Sequence, residues 1–474
     1  MFMQRNVING EWMTAESTIP VHNPATKQVI GQVPNASEAM SLAAVDAAYD
    51  AFQSWSRTTA KQRSALLLKW HALIDEHKDM LATIMTEELG RPLEGSRTEV
   101  DYANQFVEWY AEEGKRIYGE MVPSSSTEKR IFVKKEPIGV VGAITPWNFP
   151  AAMVTRKLAP ALAAGCTVVL KPSEETPYTA IKLVQLAHQA GIPNGVINLV
   201  TGDPVPIVDV WQKDGRVRKI TFTGSTPVGK MLMRGASDTM KKLSLELGGH
   251  APFIVTEHAD IDKAVEEAIA SKFRNAGQAC IAANRFFVQK SIAEDFKEKF
   301  SNKVKQLVVG NGYDRNVDIG PLINERAVKK VKAQMDDALQ RGATLVTGGN
   351  VIMEDKGYFI EPTVLMHTTD DMLCMQEETF GPLAPITSFD TLEEAIRRAN
   401  KSPFGLSAYA FTKDIKEAMI LSEQLEYGII GINDGQPSTA QAPFGGIKES
   451  GLGREGGHQG IQDYLETKYI SLSF

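Results

Sequence analysis

The sequence predicts an α/β protein with two such domains in tandem, and three observations favour this fold class. Short segments that are apolar at nearly every position, at 138–145, 166–171, 195–202 and 218–224, alternate with helical stretches. Strands that are apolar throughout are typical of a parallel sheet covered by helices on both faces. A second series of such strands follows residue 250. The length of 474 residues provides enough chain for about three ordinary domains.

The ends of the chain have other patterns. Between residues 37 and 118, apolar residues recur at three- and four-residue spacing, which predicts a run of amphipathic helices. A Ser- and Thr-rich loop near residue 125 ends this helical region. The closing segment, 463–474, alternates between polar and apolar residues like an exposed strand. We expect this strand to find its partner in another subunit.

The composition excludes several classes of protein. Hydrophobic residues make up 43% of the chain and charged residues 23%, the balance of a globular protein. The net charge of −7 argues against nucleic-acid binding. The N-terminus lacks the apolar core of a secretory signal, and no apolar run reaches the ~20 residues that a membrane helix needs. With only three cysteines, we expect a cytoplasmic protein without membrane contact.

Cys280 is the candidate nucleophile among the three cysteines. It lies in NAGQACIAANR, where its neighbours are small and polar. A free cysteine is more often a small buried hydrophobe, and that interpretation suits Cys166 and Cys374, whose neighbours are apolar. In a polar loop, a lone cysteine is a candidate thiolate. No pattern of His and Cys with metal-ligand spacing occurs, so no metal is predicted.

Three further motifs carry groups that a cysteine nucleophile could use. Glu246 in LELGGH ends a strand before two glycines that allow close approach of a ligand, although a solvated strand-end carboxylate is the alternative. Asn148 in PWNFP follows an apolar strand at the sheet edge where ligands bind, although alone it also fits a turn residue. Gly224 and Ser225 precede a helix whose backbone amides suit a phosphate, a weak pattern by itself. The literal G-x-G-x-x-G at 451–456 follows no apolar strand and is not predicted to bind a dinucleotide.

Seven motifs together resemble the aldehyde dehydrogenase family. They occur in that family's order across almost the whole chain: PWNFP, KPSEETP, FTGSTPVG, LELGGH, GQAC, EETFGP and PFGGIKESGLGREGG. Each motif is weak alone, but seven in sequence are very specific. Within the family, the likeness is closest to succinate-semialdehyde dehydrogenases, through ITPWNFPAAMVTRKLAPALAAGCT, SKFRNAGQAC and GLGREGG.

The resemblance implies a domain organisation that the residue patterns alone do not reveal. A Rossmann-like NAD-binding domain would be discontinuous, comprising 1–118 and 138–249. An α/β catalytic domain would comprise 250–440. A small β oligomerisation element and C-terminal tail would comprise 119–137 and 441–474. The family assembles as homodimers or homotetramers, so the same is expected here.

The resemblance also implies a mechanism. Cys280 would attack the aldehyde to give a thiohemiacetal, while Asn148 and the backbone N–H of Cys280 hold the oxyanion. Hydride transfer would leave a thioester, and Glu246 would activate the water that hydrolyses it to a carboxylic acid. Glu455 matches a second family carboxylate, proposed in proton relay. These roles agree with the chemistry of a soft nucleophile, a positioned donor and a carboxylate base.

The cofactor implied by the resemblance is NAD, with NADP possible. Glu174 would accept hydrogen bonds from the adenine ribose and repel a 2′-phosphate, which favours NAD. The cofactor-binding residues implied are Thr145, Pro146, Trp147, Lys171, Ser173, Glu174, Gly202, Gly224, Ser225, Leu247, Glu378 and Phe380.

The expected substrate is a small-molecule aldehyde, with oxidation of succinate semialdehyde to succinate the leading hypothesis. Its carboxylate needs a cation in the pocket, and Arg156, Arg274 and Ser438 fall at positions that resemble the family's carboxylate-binding residues. Alone, each arginine also fits an ordinary surface or ion-paired residue. Other small aldehydes, such as glutarate semialdehyde, lactaldehyde or glycolaldehyde, are the alternatives. A non-catalytic structural protein of this fold is a further alternative, although it would be expected to have lost Cys280 or Glu246.

Overall fold

The structure is a computed structural model, and it describes residues 5–353 and 355–474. Its strands in these ranges are β1 (Asn6–Ile8), β2 (Glu11–Met13), β3 (Thr18–His22), β4 (Val29–Pro34), β5 (Glu120–Val122), β6 (Lys129–Pro137), β7 (Val140–Ile144), β8 (Thr167–Lys171), β9 (Ile197–Leu199), β10 (Val217–Thr223), β11 (Lys242–Glu246), β12 (Ala251–Val255), β13 (Ala283–Gln289), β14 (Thr344–Thr347), β15 (Val351–Ile352), β16 (Phe359–Ile360), β17 (Thr363–Met366), β18 (Leu383–Phe389), β19 (Phe404–Gly405), β20 (Ser407–Phe411), β21 (Ile429–Ile432), β22 (Ile447–Lys448), β23 (Gly451–Leu452) and β24 (Leu465–Ser473).

The α-helices of the described ranges lie between and around these strands. They are α1 (Glu38–Trp55), α2 (Ala60–Glu76), α3 (Lys78–Leu89), α4 (Leu93–Glu113), α5 (Ala152–Ala164), α6 (Pro177–Gln189), α7 (Pro204–Lys213), α8 (Thr226–Ala236), α9 (Ile261–Phe273), α10 (Ala293–Val304), α11 (Glu325–Gln340), α12 (Leu373–Gln376), α13 (Leu392–Asn400), α14 (Ile415–Gln424) and α15 (Gln459–Gln462). The helices predicted between residues 37 and 118 are confirmed by α1 to α4. None of the helices described is long and apolar enough to span a bilayer.

The first large sheet has eight strands in the order β2-β1-β9-β8-β7-β10-β11-β23, and its central strands β9 to β11 are parallel. Strands β7 and β8 are buried at every position, as their continuous apolar sequences predict. The chain runs outward from β7 to β8 and β9 and then returns to β10 on the other side of β7. In open α/β sheets, ligands bind at such a reversal of strand order, beyond the carboxyl ends of the strands.

The second large sheet has seven strands in the order β14-β17-β18-β13-β12-β20-β21. Its neighbours from β17 to β21 pair in parallel, and only β14 pairs antiparallel. The predicted second series of buried parallel strands is therefore confirmed, and both sheets have their own apolar cores. The α/β fold class is confirmed.

The C-terminal segment contributes to two sheets. Strand β24 is largely exposed, as predicted, and along its whole length it pairs with β6 of the same chain. It forms one edge of a small antiparallel sheet with the order β24-β6-β5. The segment that precedes it reaches the first large sheet, where β23 pairs with β11.

Candidate active site

The site lies where the carboxyl edge of the first large sheet meets the amino edge of the second. Glu246 is the last residue of β11, and the chain crosses directly from there into β12 of the other sheet. Cys280 lies shortly before β13, the neighbour of β12. Gly249 allows these segments to come together, because a Cβ there would stand only 2.3 Å from the carbonyl oxygen of Cys280.

The loop that presents Cys280 has an unusual backbone. Asn275 and Ala276 have φ angles of 53° and 55°, in the left-handed region that non-glycine residues rarely adopt, and Gly277 follows at 74°. Burial raises the pKa of the Cys280 thiol to about 12, against the opposing charge of Arg156. A thiol with this pKa is protonated at neutral pH, so a base must take its proton as it reacts.

The other cysteines are packing residues, as predicted. Cys166 and Cys374 are both fully buried in apolar clusters, whereas Cys280 is partly accessible. Cys280 also lines the largest cavity described below. Only its position is therefore open to a substrate.

Asn148 stands in the loop between β7 and α5 and is almost fully buried. Its side-chain Nδ2 donates a hydrogen bond of 3.0 Å to the carbonyl oxygen of Gln278 in the cysteine loop. The amide has a second hydrogen, which remains available for an oxyanion. Asn148 and Cys280 both line the cavity of about 570 Å³ that is described below.

Glu246 is buried, with 3% of its surface exposed, and its Oε2 has no hydrogen-bond partner among the residues described. Burial, and then the charge of Glu455, raise the pKa of this carboxyl well above its usual range. Gly445 leaves space beside it, because a Cβ there would lie 2.8 Å from Oε1. A buried carboxyl with a raised pKa and an oxygen free of hydrogen bonds is suited to accept a proton.

Glu455 is just as buried but fully paired. It forms ion pairs with Arg156, at 2.9 Å from Nε, and with Lys157. Although burial acts the other way, the charges of Lys157 and Arg156 hold the pKa of Glu455 below its ordinary value. Both cations lie on α5, every residue of which is buried.

The structure changes the interpretation of Arg156. Sequence comparison predicts a cation available to the substrate, but only 2% of Arg156 is exposed and its guanidinium also packs over the ring of Phe444, 4.0 Å from the centroid. Its charge is already matched by Glu455, because α5 is held against the C-terminal segment. A substrate carboxylate would meet Arg156 as part of this cluster and not as a free cation.

Arg274 is, by contrast, exposed. Its guanidinium lies 5.3 Å from the ring centroid of Phe149, at a second cavity of about 350 Å³ that Tyr102 also lines. The Tyr102 hydroxyl and the Ser438 Oγ form a hydrogen bond of 2.5 Å. Tyr102 thus shares the cavity with Arg274 and is hydrogen-bonded to Ser438. It was not predicted from the sequence, because α4 gave no signal beyond its helical period.

Seven of the twelve predicted cofactor residues line one cavity, whose volume is about 570 Å³. Ser225 is the N-cap of α8, and no side chain in the described ranges caps that terminus, so the backbone N–H groups of its first turn can donate hydrogen bonds to an anionic ligand. The aromatic rings of Trp147 and Phe380 meet edge to face, with centroids 5.5 Å apart. The seven residues, which line the cavity together with Cys280, are Pro146, Trp147, Gly224, Ser225, Leu247, Glu378 and Phe380.

An eighth predicted residue, Thr145, directly precedes Pro146 and is buried behind it, where its backbone N–H donates to the carbonyl oxygen of Lys171. Glu378 closes the other side of the cavity. Its Oε1 accepts a hydrogen bond of 3.0 Å from the backbone N–H of Gly249, and burial raises the pKa of this carboxyl to about 7. The cavity, the open helix terminus and the flanking rings fit a nicotinamide dinucleotide.

The remaining four predicted cofactor residues lie outside that lining. At the end of β8, Lys171 Nζ and Glu174 Oε2 form an ion pair of 2.8 Å, beside the buried Ser173. Gly202, with a φ of 135°, has a role in packing: a Cβ there would stand 2.7 Å from the backbone nitrogen of Ala36. The close approach of these two segments explains this glycine without a cofactor.

Lys157 was not predicted as a site residue, although the sequence carries a signal for it. Arg156 and Lys157 interrupt an otherwise apolar helical stretch, and charges in such a place are buried only when they are paired. That pairing identifies Glu455 as their partner. In the described ranges, no group of three or more His, Cys, Asp and Glu side chains could hold a metal ion.

A family model for the aldehyde dehydrogenase family matches residues 12–470. The chain therefore belongs to the aldehyde dehydrogenase family, and the predicted class of enzyme, an aldehyde-oxidising oxidoreductase, is confirmed. Among its relatives is the succinate semialdehyde dehydrogenase of Acinetobacter baylyi, which is 52% identical over 99% of this chain and 97% of that protein.

Two further relatives have the same sequence identity to this chain. The succinate-semialdehyde dehydrogenase (NADP⁺) of Escherichia coli is 50% identical over 100% of this chain and 98% of that protein. The glutarate-semialdehyde dehydrogenase of Pseudomonas putida is also 50% identical, with the same coverage of 100% and 98%.

Solved structures have the same fold. An NADP-dependent enzyme from E. coli superposes with a TM-score of 0.98 at 50% identity, covering 100% of this chain and 98% of that one. A betaine aldehyde dehydrogenase from Staphylococcus aureus, in complex with NAD⁺, gives a TM-score of 0.97 at 38% identity, covering 100% and 95%.

Proposed function

We propose that this enzyme oxidises succinate semialdehyde to succinate with a nicotinamide dinucleotide. The observation that carries this proposal is the exposed cation Arg274, which stands with the Tyr102–Ser438 pair at a cavity distinct from the dinucleotide cavity. A guanidinium binds a carboxylate through two parallel hydrogen bonds, and the hydroxyl groups can donate further ones. The similarity to succinate-semialdehyde dehydrogenases supports the same substrate.

In the proposed mechanism, Cys280 Sγ attacks the aldehyde carbon as its thiol proton passes to solvent, and Glu246 acts only in the later hydrolysis. The second hydrogen of the Asn148 amide stabilises the oxyanion of the thiohemiacetal. A nicotinamide bound in the cavity would accept the hydride that oxidation to the thioester releases. Glu246 then takes a proton from the water that hydrolyses the thioester, and the carboxylic acid leaves.

The proposed roles of the cofactor residues follow their positions. The N-terminus of α8, with Gly224 and Ser225, would hold the pyrophosphate. Glu378 and Phe380 would hold the nicotinamide ribose and ring. Lys171 and Glu174 would meet the adenine ribose, and the Glu174 carboxylate favours NAD over NADP, because a 2′-phosphate would be a like charge.

The second candidate substrate is glutarate semialdehyde, which differs from succinate semialdehyde by one methylene. It is favoured by the equally similar relative from P. putida. A methylene in a pocket discriminates by only about 1–3 kcal/mol, so both substrates could be oxidised, at different rates.

The test is NADH production from aldehydes at matched concentrations, using succinate semialdehyde, glutarate semialdehyde, lactaldehyde, glycolaldehyde and uncharged butyraldehyde. We expect the highest kcat/KM with succinate semialdehyde. Arg274→Ala should lower kcat/KM for the semialdehydes roughly 10- to 150-fold, because a charge-assisted hydrogen bond is lost, and should change butyraldehyde oxidation little.

Arg156→Ala separates the two arginines. It removes the partner of Glu455, so we expect activity with charged and uncharged aldehydes to fall together. The substrate proposal fails if Arg274→Ala slows both kinds of aldehyde equally, or if butyraldehyde is the best substrate of the parent enzyme.

We also propose a homodimer or homotetramer. The small sheet of β5, β6 and β24 exposes large apolar side chains, among them Met121, Tyr469 and Leu472. Such a surface is typical of an interface. The division into an NAD-binding domain (1–118 and 138–249), a catalytic domain (250–440) and an oligomerisation element remains part of this proposal, as does a cytoplasmic location.

A further inference from the structure

Arg91 and Glu99 form a buried ion pair behind the two loops that carry Asn148 and Cys280. Only 4% of the Arg91 side chain and 1% of the Glu99 side chain are exposed. Both residues also border the cavity of Arg274, but the mechanism proposed above assigns a role to neither of them. We propose that this pair is a positioning element, which fixes the loop of Asn148 and the loop of Cys280 relative to each other. The inference rests on the proposed function, because it concerns the oxyanion role of Asn148.

Glu99 fixes the first loop through the helix that follows it. Its Oε1 accepts hydrogen bonds from the backbone N–H groups of Ala151, at 3.0 Å, and Ala152, at 3.3 Å. These groups open α5, which has no side-chain cap of its own among the described residues. A carboxylate is favourable there, because it satisfies unpaired donors and complements the helix dipole. Glu99 therefore holds the end of the Asn148 loop, where α5 begins.

Arg91 connects the Asn148 loop to the cysteine loop. Besides Glu99, its guanidinium donates to the backbone carbonyl of Asn148, at 3.2 Å, and to Oδ1 of Asn275, at 3.1 Å. One planar group thus reaches three partners on three segments, which the fork of a guanidinium allows. Asn275 in turn donates to the carbonyl oxygens of Asn148 and Gln278, at 3.0 and 3.2 Å.

The contacts converge on the strained part of the cysteine loop. Asn275 and Ala276 are the residues with left-handed φ angles, and such a backbone persists only where its surroundings hold it. Gln278, whose carbonyl accepts from Asn275, also accepts from the Asn148 amide. The same carbonyl therefore orients the amide that is to meet the oxyanion.

Position, more than stability, explains why a charged pair is retained here. Burying two charges costs about as much as their attraction returns, so a buried pair is weak evidence for stability. This pair instead makes directed hydrogen bonds to both loops. A donor displaced from an oxyanion by a fraction of an ångström loses much of its effect.

Glu88 offers a matched control. It is also fully buried, and it also accepts hydrogen bonds from the first backbone N–H groups of a helix, those of Tyr178, at 2.7 Å, and Thr179, at 3.0 Å, in α6. Its hydrogen bonds reach neither the Asn148 loop nor the Cys280 loop. Glu88→Gln therefore reports the cost of changing a buried helix cap without disturbing these loops.

The experiment compares Glu99→Gln and Arg91→Met with Glu88→Gln. We expect kcat to fall roughly 10- to 100-fold in the first two, as for a misplaced oxyanion donor, and to stay within about twofold in the control. NAD binding, followed by protein fluorescence without aldehyde, should stay within about twofold in all three. The alkylation rate of Cys280 by iodoacetamide, measured without cofactor, should change only in the first two.

A double-mutant cycle then shows whether the effect passes through Asn148. In an Asn148→Ala background, Arg91→Met should lower kcat by less than about threefold further, because residues that act as a unit are not additive. Multiplying effects, or equal kcat values for Glu99→Gln and Glu88→Gln, would overturn the inference. If Arg91→Met does not fold, Arg91→Lys and Glu99→Gln carry the same cycle. Unchanged kcat in Asn148→Ala alone would instead overturn the proposed function.

Discussion

The end of strand β11 and the C-terminal segment before α15 each place a glutamate in the interior of the site, and the two carboxyls have opposite surroundings. Glu246 and Glu455 are each only 3% exposed. Glu455 forms ion pairs with two cations, whereas Glu246 forms none among the residues described. Consequently the pKa of Glu455 is lowered and that of Glu246 is raised.

This difference separates a group that can exchange protons from one that holds its neighbours in place. A carboxyl whose charged form is paired on both oxygens gains little by accepting a proton near neutral pH. An unpaired carboxyl next to another negative charge has a raised pKa and accepts a proton more readily. When their surroundings give two neighbouring carboxyl groups different pKa values, the two groups typically have different roles.

The largest expected effect comes from Glu246→Gln. Loss of the general base should lower steady-state turnover about 10²- to 10⁴-fold, while the first turnover still produces NADH because the thioester still forms. A stopped-flow trace should therefore show a burst of NADH close to the enzyme concentration, followed by a slow phase. Thermal unfolding should change little, since no hydrogen bond to Oε2 is lost.

Glu455→Gln should have the reverse profile. It leaves Arg156 and Lys157 buried without their partner, and breaking a buried pair in this way costs about 3–5 kcal/mol of unfolding free energy. Chemical denaturation measures this loss. A turnover defect in Glu455→Gln as large as that in Glu246→Gln, without loss of stability, would contradict the division of roles.

The next prediction concerns pH. Below its raised pKa, Glu246 is protonated and cannot take a proton from water, so the rate of thioester hydrolysis should rise with pH and level off above that pKa. Glu455→Gln removes the neighbouring negative charge that raises the pKa of Glu246, whereas the positive charge of Arg156, which lowers it, remains. The Glu246 carboxylate is then favoured, so the rising limb should move to lower pH.

Rapid-quench measurement of acyl-enzyme decay across the pH range checks this directly. In Glu246→Gln the rising limb should disappear, which serves as the control. A limb that persists in Glu246→Gln belongs to another group, and a shift to higher pH in Glu455→Gln would refute the coupling between the two carboxyls.

The contrast between the two glutamates also shows what the sequence could predict. The parallel strands and the candidates Cys280, Glu246 and Asn148 follow from local signals: continuous apolar runs, a cysteine in a polar loop, and polar residues at strand ends. The order of these strands, which places the cleft, is set by long-range pairing that no local pattern encodes. The discontinuous domain organisation came only from the family resemblance.

The ion pairs were beyond prediction for the same reason. Arg156 and Glu455 are far apart in the chain, so neither neighbourhood identifies the other as its partner. The resemblance predicted a substrate-binding arginine at position 156, and the structure shows that this arginine is ion-paired with Glu455. The same holds for Arg91, whose partners lie on three segments.

The smallest expected effect concerns Glu174, a carboxylate that is paired like Glu455 but accessible. Its side chain is 42% exposed, and its ion pair with Lys171 is therefore screened by solvent and salt. In the proposed cofactor site, Glu174 repels a 2′-phosphate while Lys171 attracts it, so the two charges partly cancel.

We expect the parent enzyme to prefer NAD, and Glu174→Gln to raise kcat/KM for NADP by only about three- to tenfold, with the gain shrinking as salt is added. Glu175→Gln is the matched control, because that neighbour accepts a hydrogen bond from Asn324 rather than pairing with Lys171. Initial rates measured with NAD and with NADP at saturating aldehyde test this preference in the parent enzyme and in the variants. If the parent enzyme has the higher kcat/KM with NADP, the carboxylate turns away from the ribose, and Lys171 alone sets the cofactor preference.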